Sequence, residues 1–203
     1  MRLKLEGISV AYDKVWAVIG ANLTLNSHET CALMGPSGSG KSTLLGVISG
    51  LISPTRGSLT VTGSPNPHVQ WVFQSSPLLD RRSVVDNVAV TSIARGANPD
   101  TARVAALEVL DSFHLGSQAF RPAYTLSGGQ RQRVAIARAV VALPDILLAD
   151  EPTASLDGVS RDLVCEALAN AATRGAVVVV ATHDEYVARR CDRQVTVDPT
   201  GSI

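Results

Sequence analysis

Apolar and polar residues partly alternate along the N-terminal part of the chain, in segments 3–10, 16–25 and 30–34. A period of two is typical of strands in an antiparallel sheet with one exposed face. Two shorter strands are predicted at 58–62 and 69–73. We therefore expect an antiparallel β layer at the N-terminus.

The last third of the chain has a different pattern, because segments 145–150 and 176–181 contain uninterrupted apolar runs. Strands without alternation are typically buried on both faces, as in a parallel sheet covered by helices. A helical segment at about 159–173 lies between the two runs, which together indicate a βαβ unit. The pattern predicts an α/β fold with a mostly parallel sheet.

The middle of the chain is predicted to be helical. Ser83 and Asp86 form a capping pair ahead of an apolar run. A second helix is expected at about 99–113, where Pro99 suits the first turn.

Length and composition suit one globular domain, since the 203 residues are 45% hydrophobic and 18% charged. We expect a single domain over residues 1–203, with a core at about 1–82 and 144–203 and a helical subdomain at about 83–143. The 18 basic and 18 acidic residues balance. This balance argues against a nucleic-acid partner, because such proteins usually carry a basic excess.

The chain shows no pattern of a membrane span or a secretion signal. A span needs about 18–20 apolar residues, and the longest charge-free stretch, 57–79, is broken by glycine and prolines. The three cysteines, Cys31, Cys165 and Cys191, have no metal-binding or redox spacing. We expect a reduced chain in the cytoplasm.

The motif G-x-x-x-x-G-K-[ST] lies between a predicted strand and a predicted helix. Its members are Gly35, Pro36, Ser37, Gly38, Ser39, Gly40, Lys41 and Ser42, followed by Thr43. Glycines let successive backbone N–H groups turn toward an anion, and the helix N-terminus adds partial positive charge. Lys41 supplies a full charge for the outer phosphates, and the Ser42 hydroxyl suits Mg²⁺. The alternative is a flexible turn with a solvated lysine.

Two acidic residues end the apolar strand at 145–150, namely Asp150 and the following Glu151. Ligands bind beyond the carboxyl ends of parallel strands. Asp150 is therefore placed to hold Mg²⁺, and Glu151 to orient or deprotonate water. Alternatively, both acids cap the following turn.

The segment Leu-Ser-Gly-Gly-Gln at 126–130 opens a predicted helix that runs to about residue 141. Ser127 and Gln130 form a capping box, and Gly128 and Gly129 leave the first N–H groups uncovered. An ordinary capped helix is the simpler interpretation of this segment alone. The other interpretation is a second anion-binding site.

The phosphate loop, this signature segment and the strand-end acids occur in an order that resembles the ATPase subunit of ABC transporters. Four further positions fit the family. Tyr12 stands at the adenine-stacking position, Gln74 at the Q-loop, Asp157 in the Ser-Leu-Asp of the D-loop, and His183 at the switch histidine. The resemblance extends from about residue 3 to 197. It implies a P-loop NTPase core, an N-terminal antiparallel β layer and a helical signature subdomain.

The resemblance implies that ATP binds with its adenine on Tyr12 and its phosphates in the loop. The metal ligands that it implies are oxygen donors: Ser42, Gln74 and Asp150. Tyr12 has an alternative structural role at a strand end, and Trp16 competes with it as the stacking residue. The other histidines, His28, His68 and His114, lack such context and are predicted at the surface.

The resemblance also implies catalytic roles and partners. Glu151 would position the water and His183 would contact the γ-phosphate. A second copy of the chain, or a paralogous ATPase subunit, would bring Ser127, Gly128, Gly129 and Gln130 to the ATP in trans, with Asp157 coupling the two sites. Separate transmembrane permease subunits would hold the dimer on the inner face of the cell membrane.

Within the family, segments 148–153 and 181–184 look like the macrolide-exporter and lipoprotein-release group. The short connection between Gly63 and Gln74 looks more like nitrate and sulfonate importers. Transport direction and substrate therefore stay open. Tandem-cassette translation factors would need a second phosphate loop, and chromosome-structure ATPases a long coiled coil. An ATPase regulator that signals through a membrane partner, as in cell division, shares every motif and stays open as the alternative function.

Overall fold

A computed structural model of the chain describes residues 1–75, 77–198 and 202–203. Its described part contains a three-stranded antiparallel sheet, a five-stranded parallel sheet and helices on both faces of the latter. The strands and helices are β1 (Arg2–Tyr12), β2 (Val15–Asn26), β3 (Glu29–Met34), α1 (Lys41–Ile48), β4 (Arg56–Thr62), β5 (Val69–Val72), α2 (Val84–Ala94), α3 (Pro99–Ser112), α4 (Gly128–Val140), β6 (Ile146–Asp150), α5 (Gly158–Thr173), β7 (Val177–Thr182), α6 (Glu185–Ala188) and β8 (Arg193–Thr196).

The antiparallel layer has the strand order β2–β1–β4. Along β1, Leu3 and Leu5 are buried while Arg2, Lys4 and Glu6 are exposed. The alternation in the sequence therefore has its expected cause, a sheet with one face toward the core. The predicted N-terminal antiparallel layer is confirmed.

The third of the alternating segments, 30–34, was assigned to that layer, and this assignment is wrong. β3 lies inside the parallel sheet, paired with β7 on one side and β8 on the other. Its residues Thr30, Cys31, Ala32 and Leu33 are all buried. An interior strand buries both of its faces, and after Thr30 this segment is an uninterrupted apolar run, as in β6 and β7.

The parallel sheet has the order β5–β6–β7–β3–β8. Its two faces belong to two hydrophobic clusters, because successive side chains of a strand point to opposite sides. Ile146 and Leu148 of β6 pack with α1 and the antiparallel layer. Leu147 and Ala149 pack with the helices α2 to α5. The uninterrupted apolar runs of β6 and β7 thus reflect burial on both faces, as predicted.

The helices of the middle segment begin where the sequence indicates. The Ser83 hydroxyl accepts a hydrogen bond from the Asp86 N–H at the start of α2, and Pro99 occupies the first turn of α3. Side chains of α2, α3 and α4 share one continuous hydrophobic cluster with a face of the parallel sheet. In the described part of the chain, no helix is long and apolar enough to cross a membrane.

Candidate active site

Four parallel strands bring the predicted site residues to one edge of the sheet. β5 leads to Gln74, β6 to Asp150 and Glu151, β7 to His183, and β3 to the phosphate loop. Because these strands are neighbours, their carboxyl ends meet. They form an open cavity of about 530 Å³. Its walls are Ala17, Pro36, Ser37, Gly38, Gly40, Lys41, Ser42, Thr43, Gln74, Asp150, Glu151 and His183.

The phosphate loop is shaped by glycine and by its lysine. Gly40 has φ 93°, and a Cβ there would lie 2.3 Å from the carbonyl oxygen of Ala17, so only glycine fits. The Lys41 Nζ donates to the carbonyl oxygens of Gly35 and Pro36, at 2.8 and 3.0 Å. These bonds hold a buried ammonium group under the loop, where it attracts an anion.

The N-terminus of α1 opens into the same cavity. No side chain caps this helix, since the residue before it is Gly40. Its first N–H groups are therefore open to an anionic ligand. The hydroxyl of Ser39 is buried in the loop without a hydrogen-bond partner among the described residues, and such buried polar groups normally have one. Both features fit a bound phosphate.

Asp150 lines the cavity beside the first turn of α1 and accepts a hydrogen bond from Ser42. Burial raises the pKa of the Asp150 carboxyl above its usual value, and Glu151 raises it further, whereas Ser42 and Lys41 lower it. A carboxylate so placed gains from a nearby cation. The oxygen donors of Ser42, Asp150 and Gln74 all line the cavity, and oxygen ligands are those that Mg²⁺ prefers.

The carboxylate of Glu151 is held by two consecutive residues at the end of β7. His183 Nδ1 lies 2.8 Å from Oε1, and the Thr182 hydroxyl donates to Oε2 at 3.3 Å. Glu151 itself has φ 45°, a left-handed backbone, and its N–H donates to the Ala181 carbonyl at 2.9 Å. Sequence reasoning missed Thr182. The available signal was a lone hydroxyl at the end of an otherwise apolar strand.

The signature segment forms the predicted capped helix start. Ser127 accepts from the Gln130 N–H at 3.3 Å, and the Gln130 side chain accepts from the Ser127 N–H at 3.0 Å. Gly128 is exposed, with nothing within 4 Å of a Cβ built on it. None of residues 127–130 belongs to the cavity walls in the described structure. One chain therefore holds its two helix starts apart.

Asp157 has a local structural role. It is the N-cap of α5, where its carboxylate accepts from the Ser160 N–H at 2.7 Å. This backbone hydrogen bond, together with the Ser160 hydroxyl, lowers the pKa of Asp157. The cap leaves the residue at the surface, close in sequence to the acids of the cavity.

The two aromatic candidates for stacking both lie outside the cavity walls. The Tyr12 side chain is 51% exposed and Trp16 is 41% exposed. The Arg56 guanidinium lies 5.2 Å from the Trp16 ring. Trp16 therefore has a partner within the fold, whereas Tyr12 is the more exposed of the two.

Comparisons with known proteins agree with this geometry. The family model described as ABC transporter matches residues 18–154. The chain belongs to the ABC transporter ATPase family. It is the ATP-hydrolysing subunit of such a transporter, which confirms the predicted P-loop NTPase fold and the predicted activity.

Individual relatives refine the resemblance. The lipoprotein-releasing system ATP-binding protein LolD 1 of Caulobacter vibrioides is 40% identical over an alignment of 193 positions, which covers 88% of this chain and 82% of that protein. The dimeric structure of MJ0796, a bacterial ABC transporter cassette, has a TM-score of 0.89 and 33% identity, covering 99% of this chain and 96% of that one. A post-hydrolysis MJ0796 dimer bound to ADP and Pi gives the same TM-score at 34% identity, with the same coverage. The predicted similarity to the lipoprotein-release group is confirmed.

Proposed function

We propose that this ABC transporter ATPase hydrolyses ATP as a head-to-tail pair, in which each ATP lies between the phosphate loop of one chain and the signature segment of the other. One observation carries the proposal. The chain has two helix starts open to anions, at Gly40 and at Ser127, and only the first lines the cavity. A second chain can close the cavity with the second start. The similar cassette MJ0796 is dimeric, which supports pairing of two chains.

The residues in and near the cavity suit the separate parts of a bound Mg-ATP. Phosphates bind the loop from Gly35 to Thr43 and the Lys41 ammonium, and adenine stacks on Tyr12. Mg²⁺ would be held by Ser42, Gln74 and Asp150, where it would neutralise charge on the phosphate oxygens. Catalysis of phosphoryl transfer depends mainly on positioning and charge stabilisation.

Hydrolysis is assigned to the acids and to the switch histidine. Glu151 orients the attacking water and accepts its proton. His183, exposed and in contact with Glu151, turns to the γ-phosphate when ATP binds. Ser127, Gly128, Gly129 and Gln130 of the second chain contact the same phosphate from the opposite side, and Asp157 couples the two sites.

The dimer acts on membrane partners. We assign the partners to transmembrane permease subunits, and the location to the inner face of the cell membrane through those subunits. Relatives named as lipoprotein-releasing ATP-binding proteins support a role in release of lipid-modified proteins rather than import. We further propose that the boundaries near residues 82 and 144 separate a nucleotide-binding core from a helical signature subdomain.

Mixing two inactive variants tests the paired site. Lys41→Ala removes the charge of the phosphate loop, and Ser127→Arg blocks the signature segment. A dimer of either variant alone is therefore expected to hydrolyse little ATP. In a mixed dimer the intact loop of one chain meets the intact signature of the other, and hydrolysis returns. If both variants are folded and exchange subunits but hydrolysis does not recover on mixing, the trans arrangement between identical copies is contradicted. Recovery on mixing with a paralogous subunit would instead identify a heterodimer.

Purification with the membrane partner tests the role of the complex. Reconstitution in vesicles with that partner is expected to show ATP-dependent release of a lipid-anchored protein. ATP hydrolysis that changes the partner's activity without moving any substrate would instead favour the signalling alternative.

A further inference from the structure

Thr182 is a buried hydroxyl residue beside the catalytic carboxylate. It ends β7, whose other residues, Val177 to Ala181, are apolar and fully packed. Its side chain is 0% exposed. A buried hydroxyl costs free energy unless it is hydrogen-bonded. The hydrogen-bond partners of the Thr182 hydroxyl therefore indicate its role.

Two hydrogen bonds orient the Thr182 hydroxyl. The hydroxyl oxygen accepts a hydrogen bond from the Asp184 N–H at 3.0 Å, and the O–H group donates one to Glu151 Oε2 at 3.3 Å. A hydroxyl has a single proton. Because its oxygen already accepts the Asp184 N–H, the proton is directed to the carboxylate. The bond to Glu151 is long, as catalytic hydrogen bonds often are before substrate tightens the site.

The two residues that contact the Glu151 carboxylate differ in burial. The partner of Oε1 is His183, whose side chain is 70% exposed, whereas the Glu151 side chain is only 12% exposed. The partner of Oε2 is Thr182, which is buried and tied to the backbone of Asp184. When His183 turns to the γ-phosphate, the Thr182 contact remains of these two.

We propose that Thr182 is a positioning residue for ATP hydrolysis, whose hydroxyl holds Oε2 of Glu151 so that Oε1 faces the attacking water. The inference rests on the proposed role of Glu151. The Asp184 side chain is also paired, since the Arg161 guanidinium of α5 lies 3.2 Å from its carboxylate.

A purely structural role predicts a different result. If the hydroxyl only served the Asp184 N–H at the start of α6, its loss would lower the melting temperature and leave turnover of the folded enzyme unchanged. A positioning role lowers kcat while ATP binding and KM stay the same, since Thr182 lies behind the carboxylate and outside the cavity walls.

The test compares Thr182→Val with Thr182→Ser in the full-length dimer. Thr182→Val keeps the shape and removes the hydroxyl, whereas Thr182→Ser keeps the hydroxyl. We expect Thr182→Val to lower kcat about tenfold, as for loss of one hydrogen bond to a charged group, with KM and the calorimetric ATP affinity within about twofold. Thr182→Ser is expected to stay within about twofold of the unchanged chain in kcat. Should Thr182→Val prevent folding, Thr182→Ala is expected to show the same loss.

A double variant separates this inference from the role of Glu151. In a Glu151→Gln background, adding Thr182→Val is expected to cause no further loss of the residual rate. The inference would be overturned by an unchanged kcat in Thr182→Val or by an equal loss of kcat in Thr182→Ser. A loss confined to KM, or an additive loss in the double variant, would overturn it as well. Near-normal turnover of Glu151→Gln alone would overturn the proposed role of Glu151 instead.

Discussion

His183 Nδ1 lies 2.8 Å from Glu151 Oε1, and this contact joins the ends of two adjacent parallel strands. The histidine is largely exposed while the carboxylate beneath it is sheltered. The pair thus places a sheltered carboxylate, the proposed general base, beneath an exposed imidazole at the edge of the cavity that contains the phosphate loop.

Removing the charge of Glu151 is expected to stop hydrolysis without stopping ATP binding. Glu151→Gln keeps the shape and loses the proton acceptor, so turnover should fall at least about 100-fold. The variant should accumulate as an ATP-bound dimer in gel filtration with light scattering. Glu185→Gln, at an exposed position of α6 with Arg189 as its ion-pair partner, should keep normal turnover. A Glu151→Gln protein that stays monomeric in ATP and Mg²⁺ would contradict the assignment.

Lys41→Ala is expected to weaken ATP binding. The ammonium group lies under the phosphate loop, so its removal takes away an attractive charge and leaves two carbonyl groups facing the site. We expect the dissociation constant to rise at least about tenfold, equivalent to about 1.4 kcal/mol. Calorimetry measures the change. Lys4→Ala, an exposed lysine of the antiparallel layer paired with Glu6, is the matched control, and equal affinities for both variants would refute the phosphate contact.

Hydrophobic patterns predict the buried strands of the fold but not its edge strand β8. The buried runs of β6 and β7 predict a parallel sheet because each residue meets a packed face. β8 was missed, since only Val195 of its four residues is buried, and its strand geometry comes from pairing with β3. Such an edge strand is defined by its neighbour more than by its own residues.

The candidate site follows from motifs wherever neighbouring residues in the sequence carry the chemistry. The phosphate loop and the strand-end acids are of this kind. The contact between Thr182 and Glu151 joins residues 31 positions apart, and no local pattern indicates it. His68, predicted at the surface, is partly buried there, and the Arg95 guanidinium at the end of α2 lies 2.6 Å from its ring.

Ser127→Arg is expected to leave the single chain folded and able to bind ATP, yet block hydrolysis. The signature lies outside the cavity of its own chain, so the large cation interferes only where a second chain closes the site. Loss of the helix cap should cost about 1 kcal/mol, which Ser127→Ala reproduces without the added bulk. Thr101→Arg, which adds the same charge at an exposed position of α3, should hydrolyse ATP normally. Persistent turnover of Ser127→Arg would rule out the paired site.

Stability is expected to fall below neutral pH because of His68. Burial lowers the pKa of this ring from 6.5, and the charge of Arg95 lowers it further, against a raising contribution from Asp145. The Arg95 guanidinium can only donate, at 2.6 Å from Nδ1, so the contact needs the neutral ring. The unfolded chain therefore binds the proton more readily. The stabilisation is present above about pH 6.5 and is lost as pH falls through the lower pKa of the folded state.

Urea unfolding between about pH 7.5 and 5.5 measures this effect, because a single proton changes stability by at most about 1.4 kcal/mol per pH unit. The unchanged chain should lose more stability over this range than His68→Gln, which cannot take up the proton. His114→Gln, at an exposed position after α3, controls for the substitution itself. Parallel pH profiles for the unchanged chain and His68→Gln would mean that the contact between His68 and Arg95 does not depend on the neutral ring.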